Sequence, residues 1–238
     1  MISFLVLGFL IGMAHALEAD HLAAVGAMAA RGGGVRQMVV RGMTWGLGHT
    51  ITLFAVCALV LMFGFALTDE RAAALEFSVG IMLVLLGLDV LRRIRTKRVH
   101  FHLHDHGDGR PHLHAHSHAG ADVPHEDDPH HHSHPQGLSL RALAVGLVHG
   151  AAGSAALLAL AVASTGEPVA ALFYVAVFGV GSIAGMGFLS FVAAWPLAGI
   201  ERHAAIAHRL LAGGAGAVAI FIGAEIIIST GPLAWGVL

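Results

Sequence analysis

Apolar residues gather in six blocks along this chain, at about 2–29, 38–66, 71–94, 138–163, 168–196 and 204–230. Each is long enough to cross roughly 30 Å of hydrocarbon as a helix. Between the third and fourth blocks, about Thr96 to Gly137, lies a stretch rich in His, Asp, Gly and Pro that cannot build a core. The pattern predicts an all-α integral membrane protein of about six transmembrane helices. It divides into 1–95 (three helices), 96–137 (a disordered His-rich loop) and 138–238 (three more).

Composition sharpens this picture. Of 238 residues 56% are hydrophobic and 12% charged, and mean hydropathy is positive at +0.76. A soluble domain carries about twice that charge fraction. The 31 glycines suit closely packed membrane helices. A net charge of −2 points to no nucleic-acid partner, and the single Cys57 permits no disulfide framework. Ala14-His15-Ala16 resembles a cleavage site, but no basic region precedes it and the apolar run continues to about Met28. The expectation is a retained first helix.

Twelve of the 13 basic residues fall in the odd-numbered connections, and only Arg71 falls in an even one. The positive-inside rule then puts both termini outside and the His-rich loop in the cytoplasm of a multi-pass cell (inner) membrane protein. The halves also echo each other at offsets of about 135 residues. Gly12 to His15 matches Gly146 to His149, and Trp45 to His49 matches Phe178 to Ser182. Gly80, Gly87 and Asp89 match Gly216, Gly223 and Glu225. A unit of three spans repeated once must be inverted in the bilayer, and inverted repeats with a midplane site are a transporter architecture.

The chemistry sits in the first block, where His15, Glu18, Asp20 and His21 share one apolar stretch. Ionisable groups there are costly in hydrocarbon and by default face a cavity or a site. Imidazole with carboxylate suits nickel, cobalt, zinc or iron(II), and the lack of thiolate argues against copper(I). On a regular helix His15, Glu18 and His21 drift around one side, Asp20 points away, and the two histidines stand about 9 Å apart. Either the helix is unwound near Ala16–Ala19, or one residue acts through another. His49, among Gly46 and Gly48, is a candidate ligand from the second block. His149 is the repeat mate of His15 and, like Glu18, a weaker candidate. Asp89 and Glu225, near block ends, are candidate relay groups, while His203 and His208 read as ordinary solvated residues.

The loop holds 13 of the 19 histidines in 35 positions. His100, His102, His104 and His106 alternate with other residues, as do His112, His114, His116 and His118. His125, His130, His131, His132 and His134 follow. Neutral imidazole ligates near pH 7, so such a strand gathers divalent ions without shaping a selective cavity.

His15-Ala-Leu-Glu-Ala-Asp20-His21 resembles the H-x4-D-H signature of the nickel/cobalt transporter superfamily. Leu47-Gly48-His49-Thr50 looks like its second-helix L-G-H-[ST] motif. His149 to Ser154 resembles the H-G-x-x-G-S stretch of the small urease-associated nickel permeases. The similarity spans all six blocks. It implies transport of nickel(II) or cobalt(II), with His15, Asp20, His21 and His49 in recognition and cytoplasmic nickel chaperones as partners. It implies no enzymatic activity and no prosthetic group beyond the transported ion. Larger members have eight helices, and the long loop is similar to that of efflux-type relatives, so export for detoxification is the alternative. An intramembrane His-box metalloenzyme fits less well because only six histidines lie outside the loop, and a haem bundle because acids adjoin the His15 and His49 pair it would need. There is no Gly-rich loop followed by Lys-[Ser/Thr] for ATP hydrolysis.

Deleting His100 to His134 is expected to weaken metal transport at low concentration and to spare it at high concentration. Metal uptake by sealed vesicles containing the deleted protein checks this. Complete loss of transport by a folded variant would contradict it.

Overall fold

Hydrocarbon offers no hydrogen-bond partner to a peptide group, so apolar blocks in a bilayer close their backbone bonds within helices. The computed structural model describes residues 2–96, 100–104, 112–116, 139–152, 167–200 and 205–236. The helices are α1 (Ile2–His15), α2 (Ala19–Ala29), α3 (Val35–Phe63), α4 (Asp69–Thr96), α5 (Leu140–His149), α6 (Pro168–Ile200) and α7 (Ala205–Ala234). α3, α4, α6 and α7 are each long and apolar enough to cross a membrane. α1 and α2 together make a fifth such stretch, bent by 57° at the break between them. α5 is a shorter apolar helix, and residues 153–166, which include the rest of the fourth block, lie outside the described residues.

The distribution of side chains is that of a protein solvated by lipid. Leu7, Leu85, Phe188, Phe221 and Ile228 are exposed, whereas His21, Thr44, His49, His149, Ser182 and Ser190 are buried. A soluble fold sorts these types the other way.

Glycine sets how closely the helices approach. α1 runs alongside α6 in the same direction, Gly8 against Tyr174 and Gly12 against the carbonyl of Phe178. α5 runs alongside α3 in the same way, Gly146 against the carbonyl of Trp45 and Gly150 against that of His49. A methyl group at Gly12 or Gly146 would drive into those carbonyls. α3 and α6 cross antiparallel, with Gly42 against Ser190 and Gly179 against Thr50, whose hydroxyl donates to the Gly179 carbonyl at 3.1 Å. α4 and α7 are antiparallel too. Gly80 lies against the Gly223 carbonyl and Gly87 against that of Gly216, so each glycine meets the other's counterpart in the 135-residue echo. α2 packs beside α7, where Gly26 approaches Ala215.

Within the His-rich stretch, β1 (His100–His104) and β2 (His112–His116) pair antiparallel. Histidine faces histidine at three rungs, His100 with His116, His102 with His114 and His104 with His112. Over these residues a ladder stands where a disordered loop was expected. The reason is the alternation of His with Phe101, Leu103, Leu113 and Ala115, a period of two that suits strands. His106, His118, His125, His130, His131, His132 and His134 lie outside the described residues.

Gly146→Ala is expected to lower the thermal unfolding midpoint in detergent, by the equivalent of about 1–3 kcal/mol of overpacking. Gly213→Ala meets nothing nearer than Ile94 at 3.9 Å and should leave the midpoint unchanged or raise it. Equal shifts from the two variants would contradict the packing described.

Candidate metal centre

The backbone at 16–18 departs from the helix. Leu17 N donates to the Ala14 carbonyl at 2.9 Å and Glu18 N to that of His15 at 3.1 Å, closing α1 with tight i→i+3 turns. Glu18 is extended (φ −63°, ψ 151°), and α2 starts afresh when Leu22 N donates to the Glu18 carbonyl at 2.9 Å. Of the two alternatives left open by the sequence, the helix is therefore broken. His15 ends one helix and Asp20 and His21 open the next.

The break brings the imidazoles together. Ring centroids are 4.5 Å apart for His15 and His21, 5.2 Å for His15 and His49, and 5.2 Å for His21 and His49. His149, from the end of α5, lies 4.2 Å from His21. One ring nitrogen from each of His15, His21 and His49 falls within 4.8 Å of the others. One ligand atom from each of Asp20, His21 and His149 does the same. Four histidines thus meet from three parts of the chain.

The carboxylates hold the rings rather than crowd the centre. His15 Nδ1 donates to Glu18 Oε1 at 2.7 Å, and His21 Nδ1 donates to Asp20 Oδ1 at 2.8 Å. His21 N also donates to that Asp20 oxygen at 2.8 Å. The other Asp20 oxygen accepts from His149 Nε2 at 3.0 Å. An imidazole that donates through Nδ1 keeps its lone pair on Nε2. His15 and His21 are so oriented with Nε2 as the nitrogen left to ligate.

His21 Nε2, both ring nitrogens of His49 and His149 Nδ1 are buried without a hydrogen-bond partner. A buried polar atom left unpaired costs about 1–3 kcal/mol. His21 and His49, which carry three of these atoms, also belong to the group whose ligand atoms lie within 4.8 Å of one another, so a lone-pair acceptor between them would relieve that cost. Imidazole nitrogens are the donor type that divalent first-row ions take, with bonds of about 2.0–2.1 Å.

The expected residues have separate fates. His15, His21 and His49 lie together. Asp20, which a regular helix would turn away and the family resemblance puts in recognition, accepts from His149, because the break resets the helical phase. Glu18 is 56% exposed and reaches the site only through His15. His149 joins the cluster through Asp20. His203 lies outside the described residues. Asp89 Oδ2 accepts from Arg31 and Arg93, both at 2.9 Å, at the far end of α4. Trp45 was not anticipated as part of the centre. It is fully buried, with its ring 5.4 Å from His21 and 5.5 Å from His149. Its place in the Trp45-Gly-Leu-Gly-His49 run, one turn before His49, was the available signal. Phe178, its counterpart in the echo, lies 5.3 Å from His15.

No family model matches the chain, and no solved structure matches it. It is 30% identical to the urease accessory protein UreH of Bacillus sp. (strain TB-90), over 191 residues that make up 78% of this chain and 74% of that protein. With the likeness extending over most of both chains, this protein belongs to the family of the urease accessory protein UreH.

Proposed function

We propose that the chain carries nickel(II) into the cell across the bilayer, through a single site made by His15, His21 and His49. The observation that carries the reading is that His15, His21 and His49 bring ring nitrogens within 4.8 Å of one another, with those of His49 and His21 Nε2 buried and unpartnered. Three imidazoles favour a borderline ion over magnesium or calcium, which take oxygen ligands. The relative is named as an accessory protein of urease, not as the enzyme, and supplying nickel suits such a role. Cobalt(II) is the competing cargo, since the same nitrogens would bind it.

In this reading Asp20 does not ligate. It fixes the His21 tautomer through Nδ1, ties His149 to the site, and offsets the ion's charge, which weighs heavily in a poorly polarisable interior. Glu18 does the same for His15 from the edge. The loop histidines gather metal on the cytoplasmic side.

The architecture belongs to the same proposal. Residues 1–95 and 138–238 form two halves of three spans each, related by a two-fold axis in the membrane plane. Three facts support this: the antiparallel crossings of α3 with α6 and α4 with α7, the exchanged glycine contacts, and the matched pairs α1–α6 and α5–α3. An axis along the membrane normal would make α3 and α6 parallel. The distribution of basic residues puts both termini outside.

With the loop deleted, the protein is expected to bind one nickel per chain within the membrane. His15→Ala or His49→Ala removes it while the protein still folds. Asp20→Asn keeps the stoichiometry but weakens binding about 10–100-fold, as loss of an orienting partner does. Equilibrium dialysis measures the binding, and nickel uptake by sealed vesicles of known orientation measures the transport. Unchanged stoichiometry in the His15→Ala protein would sink the assignment. Nickel moving only outward would overturn the direction.

A further inference from the structure

Away from the histidines, the described residues line an open cavity of about 860 Å³ between α2, the start of α3, α4 and α5. Arg31, Arg41, Arg93 and Arg141 line it together with one carboxylate, Asp89. Four guanidiniums less one carboxylate leave an excess of three positive charges. Asp89 Oδ2 is shared between Arg31 and Arg93. The Nε of Arg31 is nonetheless buried without a hydrogen-bond partner. Arg41 donates to the Gly32 carbonyl at 2.9 Å. Burial lowers the pKa of Arg31 from its ordinary value, Asp89 raises it, and the Arg93 and Arg141 charges lower it again. The cluster is therefore under repulsion that an anion would relieve.

The remaining wall has another chemistry. Ile81, Met82, Leu85 and Leu86 of α4 and Val145 and Val148 of α5 line it. Ile81, Leu85 and Val148 are exposed, so the apolar wall runs out onto the surface that faces lipid. α5 begins at the charged end of the cavity, where Ser139 caps its first turn, and the positive end of the helix adds to the local potential.

We propose that this cavity holds an anionic phospholipid, its phosphate against Arg31, Arg93 and Arg141 and an acyl chain along the α4–α5 wall. Guanidinium pairs phosphate through two parallel hydrogen bonds, and basic pockets between membrane helices on the cytoplasmic side suit acidic head groups. A soluble anion would have no use for the apolar wall. A zwitterionic lipid would bring an ammonium group against three uncompensated guanidiniums. The cavity is on the cytoplasmic side if the proposed orientation holds, but occupancy by lipid does not depend on nickel being the cargo.

The full chain in an uncharged detergent, titrated with phosphatidylglycerol, phosphatidylcholine or inorganic phosphate, tests this by native mass spectrometry and thermal unfolding. Phosphatidylglycerol is expected to stay bound and raise the unfolding midpoint, with phosphatidylcholine and phosphate doing neither. Arg141→Gln should weaken retention about tenfold, the worth of one charge-assisted hydrogen bond, and leave nickel stoichiometry unchanged. Arg141 is exposed, so this variant keeps the test alive if Arg31→Gln fails to fold. Equal retention of phosphatidylcholine, or unaltered phosphatidylglycerol retention in Arg141→Gln, would overturn the proposal. Stabilisation by phosphate alone would assign the cavity to a soluble anion and overturn it as well.

Discussion

Six residues of unbroken helix would hold His15 and His21 about 9 Å apart along the axis, too far to serve one ion. The break at Ala16–Glu18 removes that separation, and the rest of the structure is arranged around it. A break in hydrocarbon is tolerable only where its peptide groups are satisfied and where it faces protein. Two tight turns satisfy part of it. α3, α5 and α6 enclose the rest, at distances that only glycine permits. Gly12, Gly146 and Gly181 each let a neighbouring carbonyl come where a methyl group would stand. The polar centre and the glycine-lined helices are thus one requirement seen twice.

The chemistry of the site is unequal between the halves although the scaffold is matched. His49 has Ser182 as its counterpart, and the Ser182 hydroxyl donates to the Gly12 carbonyl at 3.3 Å instead of joining the imidazoles. Asp20 corresponds in the echo to Ser154. Only His149 repeats its counterpart's residue type, and its Nε2 is engaged by Asp20. Of the four clustered imidazoles, three thus come from residues 1–95 and one from 138–238.

Much of this was legible in the amino-acid order. Block lengths gave the helices to within a few residues at most ends, and the need for His15 and His21 to converge pointed to the break before any coordinates. His49 could be found because glycines flank it. The pairing of Asp20 with His149 could not, because the direction of Asp20 was projected from a regular helix whose phase the break resets. The ladder of β1 and β2 was hidden by composition. His-rich and polar reads as formless, while the alternation with Phe101, Leu103 and Leu113 carries the strand signal. The grouping of Arg31, Arg41, Arg93 and Arg141 about one cavity was invisible for another reason. Basic residues near membrane boundaries serve as topology markers wherever they lie, and their mutual distances follow only from how α2, α3, α4 and α5 pack.

The seam between α4 and α7 has a mechanical consequence. Interdigitated side chains resist sliding, because each knob must leave its hole before the helices can move. At Gly80, Gly87, Gly216 and Gly223 the two helices meet backbone to backbone. Between those points Val79, Leu83, Leu86 and Val90 of α4 are buried in one cluster with Ala212 and Ala219 of α7. Sliding one helix along the other would pull these side chains from their places, so the seam clamps α4 and α7 together as a single stiff strut.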